Sequence, residues 1–193
     1  SGKGESLWRN IAEPYLMKHK IEYISYFSKH PNDVARLAAE ITKDASLTSP
    51  KHLIILGGDG TFNEALQGIH NLQAVILGYI PTGSSNDFAR DLGIPKDTLA
   101  AVERAFFTGT EHLMDIGCVT FKDHTKHYFA VSCGFGFDAA VCEETNRSSF
   151  KRTLNKLGLG KLAYLSIAVK QLMTAQAASC KIIAAVNPLS PMF

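Results

Sequence analysis

His52-Leu53-Ile54-Ile55-Leu56-Gly57-Gly58-Asp59-Gly60-Thr61-Phe62-Asn63-Glu64 decides how the rest of the 193-residue chain is read. An apolar run stops at Gly-Gly-Asp-Gly-Thr, and Phe62, Ala65, Leu66 and Ile69 then recur at helical spacing. That pattern predicts a buried strand, a glycine loop and a helix. Gly57, Gly58 and Gly60 carry no β-carbon, so the backbone there can turn sharply and approach a ligand. The N–H groups that open a helix lack intrahelical partners and favour an anion. Asp59 is a carboxylate inside that anion-seeking loop. It repels phosphate, so it orients a donor hydroxyl, accepts its proton, holds a cation, or closes a turn on its own backbone.

A second stretch repeats the design. Thr48-Ser49-Pro50 breaks the chain before this central strand, and Ala74 to Ile80 is another buried-strand pattern running into Pro81-Thr82-Gly83-Ser84-Ser85. Strand, helix and strand with short joins give βαβ units and a parallel sheet. Ligands in such sheets bind beyond the carboxyl ends of the strands, where both glycine turns emerge.

Gly57-Gly58-Asp59-Gly60-Thr61-x-Asn63-Glu64 resembles the nucleotide loop shared by diacylglycerol, sphingosine and NAD kinases and, more distantly, phosphofructokinases. It is neither a Walker A loop, since no Gly-Lys-Ser/Thr follows, nor a Gly-x-Gly-x-x-Gly dinucleotide turn. Ile80-Pro81-Thr82-Gly83-Ser84-Ser85-Asn86-Asp87-Phe88-Ala89-Arg90-Asp91-Leu92-Gly93-Ile94-Pro95 looks like the lipid-kinase signature, of which Asn-Asp-Phe-Ala-Arg is the distinctive part. The chain is thus similar to the diacylglycerol kinase catalytic domain family, bacterial lipid kinases and sphingosine kinases included.

The resemblance implies an α/β fold: a parallel-sheet, ATP-binding domain over residues 1–112, then the start of an antiparallel β-rich lipid-acceptor domain over 113–193, truncated or incomplete. It implies a kinase that uses ATP and Mg²⁺ to phosphorylate a lipid hydroxyl, with diacylglycerol the first expectation. By carry-over Gly57, Gly58, Gly60, Thr61, Asn63, Glu64 and Ser84 bind the nucleotide, and Asp59 organises the metal or the acceptor hydroxyl. An unshifted carboxylate is a weak base, so orientation is its expected contribution. Ser28 stands where the family ends its second strand in a nucleotide-touching Thr, or it is a turn former. Asn63 and Glu64 also suit the first turn of a helix on structural grounds alone. The family usually has Thr where Ser84 stands and often Gly or Ala where Ser85 stands. No metal ligand is assigned, because the family's structural-metal carboxylates and its general base belong to later segments. Two rivals stay open: an NAD kinase, which should continue Thr-Ala-Tyr where this chain reads Ser85-Asn86-Asp87-Phe88, and a non-catalytic nucleotide- or lipid-binding relative.

The remaining chain adds local expectations. A helix is predicted from about Ser6 to His19, with Ser1 to Gly4 either the residue of a cleaved tag or the remnant of a second phosphate-facing loop bearing Lys3, its preceding strand missing. Ile21 to Phe27 reads as a short strand, Asn32 or Asp33 as the cap of the next helix, and Asp97 as the cap of a later one. Arg90 reaches phosphate or pairs with Asp87. Leu113 to Phe121 and His127 to Ser132 form a hairpin. Asp115 to Gly117 and Gly136 to Asp138 match family patterns, with Asp138 facing the acceptor or capping a helix. From Arg147 to Lys170 the cations meet no acid in sequence, so the segment lies on an anionic membrane or packs as a helix with solvated lysines. Cys180 to Val186 resembles one more strand, and the family continues well beyond Phe193.

Composition narrows the classes. A net charge of +2 gives no nucleic-acid footprint. Four cysteines without Cys-x-x-Cys spacing indicate neither a zinc cage nor a disulfide framework, and His124 with His127 lacks a third ligand. No apolar run reaches the roughly 18 residues of a membrane span. The expected location is therefore cytoplasmic, peripheral to a membrane where the lipid substrate lies; a homo-oligomer stays open.

Overall fold

The computed structural model describes residues 2–147, 169, 170 and 172. Its centre is a pair of parallel strands, β1 (Lys51–Gly57) and β2 (Val75–Pro81), in register from Lys51 opposite Val75 to Gly57 opposite Pro81. Among the described residues β1 pairs with β2 alone. The helices follow in chain order. Helix α1 (Gly2–Leu7) continues through a π-helical turn at Trp8–Ala12 into α2 (Glu13–Lys18); α3 is Asp33–Thr42 and α4 is Asp59–Gly68. After β2 come α5 (Asp87–Asp91) and α6 (Thr98–Glu103), with a π-helical turn at Arg104–Thr108. An antiparallel hairpin of β3 (Gly117–Thr120) and β4 (Lys126–Phe129) precedes α7 (Phe137–Arg147).

Side-chain alternation on the strands gives the sheet two apolar faces. Ile55, Val75 and Tyr79 join Ala38 of α3, Phe62, Ala65 and Leu66 of α4, and Phe88 and Ala89 of α5 in one core. Ile80 on the opposite face packs with Ala12, Leu16, Ala101 and Val102 in a second core. Phe62, Leu66 and Ile80 are almost wholly buried, each worth about 1.5–3 kcal/mol against exposure. Layers on both faces are what a parallel sheet requires. The chain divides into two compact units, residues 1–132 and 133–193. The first holds the sheet, its helices and the hairpin. Within the second, α7 buries Val141, and Glu144 pairs with Lys170 at 2.6 Å.

Several local expectations change. The first helix starts at Gly2, so Lys3 and Gly4 are helical rather than part of a loop. Of the stripe that helical spacing predicts, Leu7, Ile11, Tyr15 and Leu16, Leu16 is fully buried and the others half-buried, and Ala12 joins it inside at the end of the π-helical turn. Residues 21–29 form no strand: a strand needs a hydrogen-bonded neighbour, and none among the described residues pairs with this segment. Asn32 adopts a left-handed conformation (φ 68°) and gives no side-chain cap. Asp33 instead folds back, accepting from Lys29 N–H at 2.8 Å and pairing with Arg36 at 2.8 Å. The cap of α3 comes from another helix, where Glu64 Oε1 accepts from Val34 N–H at 2.9 Å. Lys170 meets Glu144, an acid upstream of the basic segment. The rest of that segment and the strand expected at Cys180 to Val186 lie outside the described residues. Other expectations stand: Asp97 accepts from Ala100 N–H at 2.9 Å as the cap of α6, Arg90 pairs with Asp87 at 2.9 Å, and the hairpin forms.

Asp33 is buried, and the Lys29 N–H, with Arg36 beside it, holds its carboxyl below the usual carboxylate range. A carboxyl depressed in the fold stabilises it above the unfolded value and loses that contribution as pH falls through the folded one. Wild-type denaturation midpoints should therefore decline below about pH 4, the ordinary carboxylate range. Asp33→Asn should lower the neutral-pH midpoint and flatten that decline in urea titrations.

Candidate functional site

The site is built where β1 and β2 end together. Past Gly57 the chain turns directly into α4, with Gly58 extended (φ −99°, ψ 179°) as the residue before the helix. Thr61 and Phe62 N–H groups return to the Gly58 carbonyl at 2.9 and 3.1 Å. The earlier amides of the helix have no intrahelical acceptor by construction, and they open toward the loop. A β-carbon at Gly57 would come within 2.6 Å of Thr61, so no other residue fits the turn without displacing it.

The second loop comes to the first. Thr82 N–H donates to the Gly57 carbonyl at 2.7 Å, extending the parallel ladder by one bond past the strands. A β-carbon at Gly83 would lie 2.7 Å from Gly58 Cα and 2.7 Å from Asn86 Oδ1. Backbone therefore meets backbone at Gly58 and Gly83. Asn86, left-handed at φ 51°, ties the second loop to itself by donating Nδ2–H to the Gly83 carbonyl at 2.8 Å.

Asp59 clamps the two. Its Oδ2 accepts from the Asp87 backbone N–H at 2.9 Å, at the opening of α5, and its Oδ1 accepts from the Tyr79 hydroxyl at 3.2 Å. The carboxylate is half-buried. The turn that Asp59 could have made on its own backbone is replaced by bonds 20 and 28 residues away. Tyr79 is buried, and desolvation followed by the Asp59 charge pushes its phenol well above the ordinary tyrosine range. It therefore keeps its proton at neutral pH.

An open cavity of about 1270 Å³ runs from these loops along β1, on the side where no strand pairs with it among the described residues. Gly57, Gly58 and Thr61 share its wall with Thr82 and Gly83, and Ser28 also lines it. Gly4 of α1 reaches the same end: a β-carbon there would lie 3.3 Å from Leu56 and 3.5 Å from Thr82 Oγ1. Ser84 is exposed at the turn beside Gly83. Gly60 is exposed, with nothing within 4 Å of a would-be β-carbon, so the fold itself imposes no glycine there.

Because α4 already starts at Asp59, Asn63 and Glu64 lie in its second turn rather than its first, and both have structural partners. Glu64 caps α3, while Asn63 Oδ1 accepts from Ala130 N–H at 3.2 Å. Gln67, one turn on, donates Nε2–H to the Tyr128 carbonyl at 2.7 Å and accepts the Tyr128 N–H at 3.0 Å. Two amide side chains of α4 thus bind the backbone of β4 and the residue after it. Tyr79 and Gln67 were not singled out from sequence. The available signal for Tyr79 was a phenol inside an otherwise aliphatic strand, because a buried hydroxyl requires a partner.

Among the described residues no group of three or more His, Cys, Asp or Glu converges to hold a metal ion, and Cys118, Cys133 and Cys142 are free exposed thiols. No helix among them is long and apolar enough to cross a membrane.

Comparison with known proteins fits the two joined loops. The family model described as the diacylglycerol kinase catalytic domain matches residues 1–119. The chain belongs to that family. A Bacillus subtilis protein named as a lipid kinase, YtlR, is 31% identical over 164 residues, covering 83% of this chain and 52% of its own length. A diacylglycerol kinase of the same organism is 38% identical over 115 residues, 58% of this chain and 38% of that protein. A YegS-like lipid kinase of Cronobacter sakazakii is 30% identical over 167 residues, 85% of this chain and half of that protein. The chain of this family member thus spans about half the length, or less, of these relatives.

The Glu64 contact is separable from nucleotide chemistry. Glu64→Ala is expected to destabilise the fold by about 1–2 kcal/mol through loss of the α3 cap, measured by urea denaturation without ligand. An unchanged midpoint would show that the cap carries no stability.

Proposed function

We propose that the protein carrying this chain is an ATP-dependent lipid kinase that moves the γ-phosphoryl group to a lipid hydroxyl, diacylglycerol foremost. The reading is carried by the junction of the Gly57–Gly58 turn and the first turn of α4 with the Thr82–Ser84 loop, clamped by Asp59. Phosphoryl transfer asks a protein for in-line positioning and neutralised oxygens more than for covalent chemistry. The opening amides of α4, with Thr61 and Ser84, would donate to phosphate oxygens, and Gly57, Gly58 and Gly60 would let them approach. Ser28 would face the nucleotide from across the cavity. Asn63 and Glu64 would act by holding the loop's helix against its neighbours, with any direct nucleotide contact additional to that.

Asp59 is the proposed catalytic residue. Two donors fix its carboxylate, and each oxygen retains a lone pair for the acceptor hydroxyl or a hydrated cation. One or two carboxylates without a closed cage suit Mg²⁺, which keeps most of its waters. Asp59 would hold that ion, whose chemistry is to offset the charge of the phosphates. The other proposed divisions follow: residues 1–112 bind nucleotide, residues 113–193 begin the acceptor-lipid domain, and the enzyme meets its substrate at a membrane surface from the cytoplasm.

Labelled γ-phosphate ATP with Mg²⁺, offered to the intact protein with diacylglycerol, sphingosine or NAD, should label diacylglycerol. Label in NAD alone removes the lipid assignment, and label in nothing favours a sensing relative. Asp59→Asn should abolish transfer with the unfolding transition retained; near-normal turnover refutes its role. Gly60→Ala should leave the fold as stable or up to about 1 kcal/mol more so, yet weaken ATP binding measured by calorimetry. Unchanged affinity would place the phosphates elsewhere.

A further inference from the structure

We infer that Tyr79 is a positioning residue for this transfer, its buried hydroxyl setting the orientation of the Asp59 carboxylate at the junction of the two loops. The inference rests on the kinase reading and extends it to a residue outside both glycine loops.

The starting point is a hydroxyl that packing does not require. Tyr79 shares its face of β2 with Val75 and Leu77 and lies in the core with Phe62 and Phe88. Its ring centroid is 5.2 Å from Phe62 and 5.8 Å from Phe88, and those two are 4.6 Å apart. A phenylalanine would fill that aromatic cluster equally well. Burying a hydroxyl costs free energy unless it is hydrogen-bonded, and here the partner is Asp59.

Asp59 turns on its side-chain torsions, and one donor leaves it free to swivel about that bond. Tyr79 and the Asp87 N–H approach different oxygens from different elements, the floor strand and the opening of α5. Together they define the carboxylate plane. Three packed aromatic rings keep the Tyr79 donor itself from moving. The phenol O–H is the donor and the Asp59 carboxylate the acceptor at 3.2 Å. Tyr79 lies beneath the loops at 4% exposure and touches substrate in no part of this scheme; it acts through Asp59.

The test is Tyr79→Phe in the intact protein, assayed with γ-labelled ATP and 1,2-dioleoylglycerol in detergent micelles. A lost hydrogen bond to a charged group corresponds to about a tenfold fall in kcat. KM for ATP should stay within about twofold, and the thermal unfolding midpoint should be retained, which a purely structural role would not produce. Replacing Tyr79 by 3-fluorotyrosine, which keeps the hydroxyl, should restore the wild-type kcat. An unchanged kcat in Tyr79→Phe, a loss that vanishes when the rate is expressed per folded molecule, or an equal loss with fluorotyrosine overturns the inference. In each of those cases an active wild type leaves the kinase reading intact. A wild type that transfers no label removes both.

Discussion

The contact of Gly58 with Gly83 is the constraint on which the site depends. Two strand-ending turns can share one ligand only if their backbones meet, and a β-carbon at Gly83 would lie within 2.7 Å of the opposing chain. The Thr82–Gly57 hydrogen bond carries the sheet ladder into the loops, and Asp59 then bonds to the start of α5. Sheet, first loop and second loop become one rigid piece at the carboxyl end of the strands. The first turn of α4 and the Thr82–Gly83 turn are consequently held side by side. For the proposed transfer, preorganisation of this kind would spare reorganisation at the reacting centre.

The same helix that follows the glycine turn also fastens its surroundings. Along α4, Asp59 faces the second loop, Glu64 caps α3, and Asn63 and Gln67 bind the backbone at β4. Each contact joins a side-chain polar group to a backbone group that would otherwise lack a partner. The hairpin is thereby attached directly to the helix that carries the glycine loop. Sequence positions that resemble ligand contacts in the family therefore have a second physical role, which holds without any nucleotide.

Much of the arrangement was legible because it rests on local chemistry. The apolar runs at Leu53–Leu56 and Val75–Ile80, broken by glycine and proline, announced parallel strands, and Asp97 announced its cap. The contacts that span the chain were not legible. Nothing near Asn32 says that its helix is capped by Glu64, 32 positions on, because capping in trans depends on how α3 and α4 pack. The strand expected at Ile21 to Phe27 failed for a related reason: alternation encodes a pleated face, but a strand exists only when a neighbour supplies its hydrogen bonds. The π-helical turn at Trp8–Ala12 ends in the buried Ala12, which helical period alone did not mark beside Leu16. Asp59 was recognised as unusual by its charge, while its partners, Tyr79 and the Asp87 amide, emerged only from the fold.

The most direct measurement of whether the two loops act as one phosphate site is amide hydrogen exchange on the intact protein, with and without Mg²⁺ and a non-hydrolysable ATP analogue. A single cradle requires residues 58–62 and 82–87 to slow together on nucleotide binding, each by a similar factor and at the same nucleotide concentration. Slowing of one segment without the other, or of neither while nucleotide is bound elsewhere, would contradict it.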